Sequence, residues 1–242
     1  MNGTSQQGSR VIWVSYSQPA AERISADLSA LGHHVICEPA TSIRQLIPQA
    51  PVMGDTPKVL IFLSQHAVSG YVEYLRKPSH DAAQMIAIGS ATASALARYG
   101  IVARTPDDSS SEAILKTDVV KGLQTDDLAW VLSGEGGRDL VENELGKSCR
   151  LERFVLYRRE RRWPSCAMET LPEVIWVGSV QGLQQVCEIL NHFKIPLQAT
   201  VVVPSQRVAN AASEQGFDSI LISLNNDADS IRSVLRKTWD VR

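Results

Sequence analysis

One spacing recurs through this chain and limits what it can fold into. VLIFLSQHAVSGYVEYL at 59–75 is similar to VIWVGSVQGLQQVCEIL at 174–190, and MIAIGSATASALARYGI at 85–101 is similar to TVVVPSQRVANAASEQGF at 200–217. The serines that follow the apolar runs stand 115 positions apart in both pairs (64 to 179, 90 to 205). VIWVS at 11–15 and LAWVLSG at 128–134 form a third pair, with Trp13 and Trp130 separated by 117 positions. Self-similarity held at one spacing is the mark of a duplicated unit. The repeat reads as two copies of an α/β unit of roughly 115 residues, each of ordinary domain size. A chain of 242 residues holds both, and each is long enough to bury a core.

Strand and helix signals alternate within the copies. β-rich runs fall at 11–14, 58–63, 85–88, 128–132, 174–177, 200–203 and 219–222, most followed by a small or polar residue and a helical pattern. That alternation predicts an α/β fold with parallel sheets. After Pro19, residues Ala21, Ile24, Leu28 and Leu31 share one helical face, and Gly32 stands where a C-terminal cap belongs. Leu183, Val186, Cys187 and Leu190 repeat the helical spacing. Two segments break the pattern. Residues 37–57 carry four prolines, and 151–164 pass into a charged run. Both read as connectors between domains, the second as an exposed strand.

Charge and composition narrow the function. With 24 basic and 26 acidic side chains the net charge is −2, which argues against a nucleic-acid binder, since phosphate backbones demand a basic face. Glu152 and Glu160 interrupt the arginines at 150, 153, 158, 159, 161 and 162. The run therefore reads as a solvated connector strand that raises the local potential for a polyanion. No apolar run is long enough to cross a bilayer. The opening MNGTSQQGSR lacks the build of a signal peptide. Cys37, Cys149, Cys166 and Cys187 make no CxxC, and His33, His34, His66, His80 and His192 show neither HExxH nor metal spacing. The expectation is a reduced, cytoplasmic, metal-free monomer.

In parallel α/β sheets ligands bind beyond the carboxyl ends of the strands, where helix N-termini present free N–H groups. Five turns stand there: Ser64-Gln65-His66, Gly89-Ser90-Ala91-Thr92, Ser133 to Arg138 with Gly136 and Gly137, Ser179-Val180-Gln181-Gly182, and Ser205-Gln206-Arg207. Singly, each is a helix cap worth about 1 kcal/mol. As a set repeated in both copies, they read as a cleft for a ligand rich in carboxylates or phosphates. GEGGR at 134–138 fits neither GxxxxGK[ST] nor GxGxxG, so no nucleotide site is expected. Ser64 and Ser179 have no GxSxG elbow around them, which disfavours a hydrolase. His66 is the only histidine at a strand end, and a surface or capping role is expected of it.

Several of these segments together resemble the uroporphyrinogen-III synthase (HemD-like) family. The most specific is LSGEGGRDLVENELGKSCRLERFVLYRR at 132–159, similar to the family's glycine-rich turn, helix and strand ending in Tyr-Arg. IAIGSATASALARYGI at 86–101 matches the Gly-x-x-Thr helix start, SSSEAIL at 109–115 the Ser-Glu-x-x-Leu helix, and FLSQHAV at 62–68 the Ser-x-x-Ala-Val turn. The resemblance implies two flavodoxin-like parallel-sheet domains joined by a two-stranded β ladder, with the active site in the interdomain cleft. Residues 1–36 would join 166–242 as one domain, 54–151 would form the other, and 37–53 with 152–165 would be the ladder.

The implied reaction is cyclisation of hydroxymethylbilane, a linear tetrapyrrole with eight carboxylates, to uroporphyrinogen III in haem biosynthesis. Loss of the hydroxyl as water leaves an electrophilic azafulvene. Ring D attacks it through a substituted carbon, and a spiro intermediate fragments and recloses with that ring inverted. No cofactor is implied, and hand-over from hydroxymethylbilane synthase would supply the substrate. Tyr157 matches the family's Tyr-Arg and is the candidate donor to the departing hydroxide; the competing reading is a structural tyrosine anchoring the connector strand. Thr92 matches a cleft threonine, with N-capping as its competing reading. Ser64, Gln65, Gly89, Ser90, Gly136, Gly137, Ser179, Ser205 and Arg207 are the substrate-binding candidates. The chain departs from the family at Ser15-Tyr16-Ser17-Gln18-Pro19, where many relatives have Thr-Arg-Pro, and at Ser133, where many have Arg. The alternative function is an inactive tetrapyrrole- or anion-binding protein of the same fold.

Overall fold

The short apolar runs are buried on both faces, as strands of a helix-covered parallel sheet must be. The computed structural model describes residues 9–51, 56–136, 139–164, 170–223 and 228–239. Its strands are β1 (Val11–Val14), β2 (His34–Cys37), β3 (Thr41–Gln45), β4 (Val59–Phe62), β5 (Gln84–Ala87), β6 (Leu128–Gly134), β7 (Arg150–Arg161), β8 (Val174–Trp176), β9 (Thr200–Val203) and β10 (Ile220–Ile222). The α-helices are α1 (Ala20–Ala30), α2 (His66–Gly70), α3 (Ser90–Ala97), α4 (Ser111–Lys116), α5 (Asp118–Lys121), α6 (Leu140–Leu145), α7 (Val180–His192), α8 (Gln206–Glu214) and α9 (Ala228–Trp239). No helix among the described residues is long and apolar enough to cross a membrane.

The chain divides into two units, Met1–Ser42 with Glu160–Arg242, and Ile43–Arg159. The first holds a parallel sheet in the order β10-β9-β8-β1-β2. Counted along the chain that is the flavodoxin-like order 2-1-3-4-5. Trp13 packs with Ile175, Val201 and Leu183 on one face, and Ile12 and Val14 pack with Trp176 and Ile24 on the other. Helix α1 buries Ala21, Ile24 and Leu28 as its spacing predicts, and Gly32 past its end has φ +87°, a conformation that favours glycine.

The second sheet runs β3-β7-β6-β4-β5, with β7, β6, β4 and β5 parallel. β3 is its antiparallel edge: the Leu46 N–H donates to the Leu156 carbonyl at 2.8 Å, and the Arg162 N–H to Ala40 at 3.0 Å. Leu60, Phe62 and Trp130 line one core face, and Val59, Ile61, Val131, Val141 and Leu145 the other. Beyond β5 the sheet ends in one bridge, Ile86 to Arg104.

Laid strand for strand, with β4 on β8 and β5 on β9, the two sheets also put β6 on β1. The repeat-matched segments thus hold equivalent sheet positions. The units are not tandem copies, however, because β1 stands in the unit that contains β8, while β6 follows β4 and β5 in the other. The charged segment is a strand, as expected, but its centre is less solvated than that reading assumed. β7 pairs with β6 from Arg150 to Tyr157 and buries Phe154, Leu156 and Tyr157. Its apolar residues are decisive, because arginines can flank a sheet with their heads in solvent.

Candidate active site

Parallel pairing brings the carboxyl ends of β4, β5 and β6 to one edge of their sheet, and the candidate turns come with them. After β4, the Ser64 Oγ accepts the His66 N–H at 3.2 Å. Gln65 sits at the N-cap of α2 without a side-chain capping bond. After β5, Gly89 is the N-cap of α3, and a Cβ there would stand 2.5 Å from the Ser109 Oγ. Ser90 opens the helix, exposed. Thr92 lies two residues further in and only 3% exposed, so N-capping is not its role. After β6 comes Gly136 at φ +71°, whereas Gly137 lies outside the described residues.

A break in register places Tyr157. Ser133 pairs with Val155, but Gly134 pairs with Tyr157, so one residue of β7 is skipped. Such a bulge re-aims side chains. Strict alternation would bury Leu156 and turn Tyr157 outward; here both are buried, with Tyr157 3% exposed. Its ring lies against the Cα of Gly134. A Cβ there would meet ring atoms Cζ, Cε2 and Cε1 at 2.3, 2.6 and 2.7 Å. Only glycine accommodates this approach without displacing the ring. The Arg159 guanidinium stands 5.3 Å from the ring centroid, within cation–π range. Among the described residues no hydrogen bond engages the Tyr157 hydroxyl.

His66 completes this group, contrary to the surface or capping role expected of it. Its ring meets Tyr157 edge to face, with centroids 5.3 Å apart and planes at 62°. Burial first, and the nearby Arg159 charge second, push the imidazole down to about 4, so it is neutral at physiological pH. Its carbonyl accepts the Gln45 Nε2–H at 3.1 Å.

Ser133 has a guanidinium beside it although it is not itself an arginine. Arg153, from the neighbouring strand, donates through Nε to the Ser133 Oγ at 3.4 Å and through Nη1 to Asp139 at 2.8 Å. Its Nε also lies 3.4 Å from the Glu142 carboxylate. Burial raises the Glu142 carboxyl more than Arg153 lowers it.

The other unit presents its own row. The Ser179 Oγ accepts the Gly182 N–H at 3.0 Å and so caps α7. Ser205 occupies the N-cap of α8 without a capping bond. Arg207, in the first turn, is exposed and has no ion-pair partner among the described residues. Tyr16 was not among the sequence candidates. A Cβ on Gly178 would come 2.7–3.0 Å from its ring, so this unit repeats the tyrosine-on-glycine contact. A glycine at or just past the end of a buried strand was the available signal, Gly134 closing β6 and Gly178 standing two residues past β8. Among the described residues, no three of His, Cys, Asp or Glu stand together to hold a metal.

Two α/β units with mostly parallel sheets and helix-opening turns at their strand ends, one of them enclosing a buried tyrosine, define a class of two-unit α/β proteins. The family model of uroporphyrinogen-III synthase HemD matches residues 22–232, and the chain belongs to that family. It is 27% identical over 250 residues to the uroporphyrinogen-III synthase of Escherichia coli strain K12, covering 93% of this chain and 99% of that one. Solved uroporphyrinogen III synthases share its fold. A variant from the extremely thermophilic bacterium Thermus thermophilus superposes with a TM-score of 0.60 at 13% identity, over 97% of this chain and 100% of that one. The Helicobacter pylori 26695 enzyme gives 0.59 at 13% identity, with the same coverage.

Proposed function

We infer that this chain closes hydroxymethylbilane to uroporphyrinogen III, losing water and inverting ring D. Family membership over most of the chain supports the reaction. The observation that carries the site is Tyr157, re-aimed by the β7 bulge onto Gly134 at the carboxyl end of β6. In this reading its hydroxyl donates to the departing hydroxyl of the substrate, which leaves as water, and the electron-rich pyrroles supply the remaining driving force. The protein holds the chain in a folded conformer that favours attack by ring D over direct closure, a contribution of orientation.

Ser64, Gln65, Gly89, Ser90, Thr92, Gly136, Gly137, Ser179, Ser205 and Arg207 are proposed to hold substrate carboxylates through hydroxyls, helix-opening N–H groups and the Arg207 charge. A cation in the first turn of a helix opposes the helix dipole, which suits an arginine that meets an anionic ligand. The enzyme is proposed to act as a cytoplasmic monomer. It would take its substrate by hand-over from hydroxymethylbilane synthase, because the free linear molecule closes by itself to isomer I.

The test generates hydroxymethylbilane in situ, adds the protein, oxidises the products and separates isomers I and III. Predominant isomer III supports the reaction; isomer I alone, at the uncatalysed rate with folded protein, refutes it and favours the inactive binding protein. Tyr157→Phe is expected to lower kcat by about 100-fold or more, the scale of general acid catalysis, with little change in Tm. Wild-type turnover would remove Tyr157 from the mechanism.

A further inference from the structure

We propose that His66 is a positioning residue of this reaction, the wall that fixes the Tyr157 ring and therefore the direction of its hydroxyl. This rests on the reading of Tyr157 as the donor. The bulge in β7 leaves Tyr157 without the regular strand alternation that would otherwise set its direction, so the surroundings must set it. Gly134 closes one side of the ring, with no room even for a methyl group. Arg159 stands over it at 5.3 Å, and His66 meets it edge to face, also at 5.3 Å. An edge-to-face pair has a preferred geometry as well as contact area, so it restrains a ring where an aliphatic neighbour merely fills space.

His66 is itself held. Its N–H donates to the Ser64 Oγ, and its carbonyl accepts from Gln45 on the edge strand β3. The hydroxyl of Ser64 thus serves the placement of His66. Burial and Arg159 keep the imidazole uncharged, so the wall acts as an aromatic surface, and no proton transfer at His66 is involved. An aromatic side chain without ring nitrogens should therefore replace it.

The experiment compares His66→Ala, His66→Leu and His66→Phe, each alone and combined with Tyr157→Phe, by kcat, KM and the ratio of isomer III to isomer I. Thermal melts accompany each variant, and His66→Leu keeps a side chain of useful volume should the alanine variant fail to fold. The expected result is a kcat loss of tenfold or more for His66→Ala and His66→Leu, with KM within about twofold and more isomer I. His66→Phe should stay within about threefold of wild type. In the Tyr157→Phe background the His66 substitutions should cost nothing further, because there is no hydroxyl left to aim. Wild-type kcat in His66→Leu, failure of His66→Phe to rescue, or full additivity with Tyr157→Phe would overturn the role of His66 and leave the Tyr157 reading intact. Wild-type activity in Tyr157→Phe itself would overturn both.

Discussion

Gly134→Ala isolates the geometry on which the site reading depends. The added Cβ would sit 2.3 Å from Cζ of Tyr157 and 2.6 and 2.7 Å from Cε2 and Cε1, whereas non-bonded carbons settle at about 3.5–4.0 Å. These atoms belong to a rigid ring that is 3% exposed, so relief requires the ring or strand β7 to retreat by roughly 1 Å or more. Overpacking of this kind costs about 1–3 kcal/mol. For a unit of this size that lowers Tm by roughly 5–15 °C. A displacement near 1 Å in a catalytic group costs about 100-fold in rate, far beyond what partial unfolding produces well below Tm. The in situ isomer assay, run at least 20 °C below the variant's own Tm (about the margin that keeps unfolding negligible), should show kcat down by about two orders of magnitude and KM little changed. The double variant with Tyr157→Phe separates cause from damage: with no hydroxyl to misplace, Gly134→Ala should add little to the loss already present. A folded Gly134→Ala enzyme with wild-type kcat and isomer ratio would refute the claim that this ring's position governs turnover.

Two further outcomes follow from the same contacts. Ser179→Ala removes a capping bond and should cost about 1 kcal/mol in urea denaturation, whereas Ser205→Ala, which loses none, should leave stability within about 0.5 kcal/mol and raise KM; an unchanged KM would strike Ser205 from the site. Stability should also fall as pH drops below 6.5. His66 is lowered from 6.5 to about 4, and His33 and His80 are lowered too, each mainly by burial. The unfolded chain therefore takes up these protons first, and the native state loses ground from pH 6.5 down to the depressed values. His66 alone accounts for on the order of 3 kcal/mol once fully protonated, so His66→Phe should flatten the urea-midpoint profile between pH 6.5 and 4. An unchanged slope would mean that His66 is not held neutral.

What the sequence made legible depended on how far apart the cooperating residues lie. The apolar runs at 59–62, 174–176 and 200–203 announce themselves because a strand buried on both faces is a local property. The helix-opening turns could be placed because each directly follows such a run. The central part of β7 was masked by its neighbours: Phe154, Leu156 and Tyr157 are three buried residues inside an arginine-rich stretch, and a one-residue bulge erases the alternation that would have revealed them. The sequence placed His66 at a strand end but could not show its role, since the ring it meets and the charge beside it belong to Tyr157 and Arg159, more than ninety positions away. The glycine contacts lie between these cases. Gly134 closes a strand of otherwise larger side chains, and Gly178 follows one; a glycine there marks a close approach without naming what approaches. The repeat could have gone one step further. A duplicated architecture that places a glycine at a strand end in each unit invites a search for the ring that lies on it, and both units supply a tyrosine, Tyr157 on Gly134 and Tyr16 on Gly178. Tyr16 stands in the segment where many family members carry Thr-Arg-Pro. The departure from the family pattern at Tyr16 therefore puts an aromatic ring at the carboxyl end of β1, the strand matched to β6, whereas the proposed donor reaches its glycine from β7, the strand matched to β2.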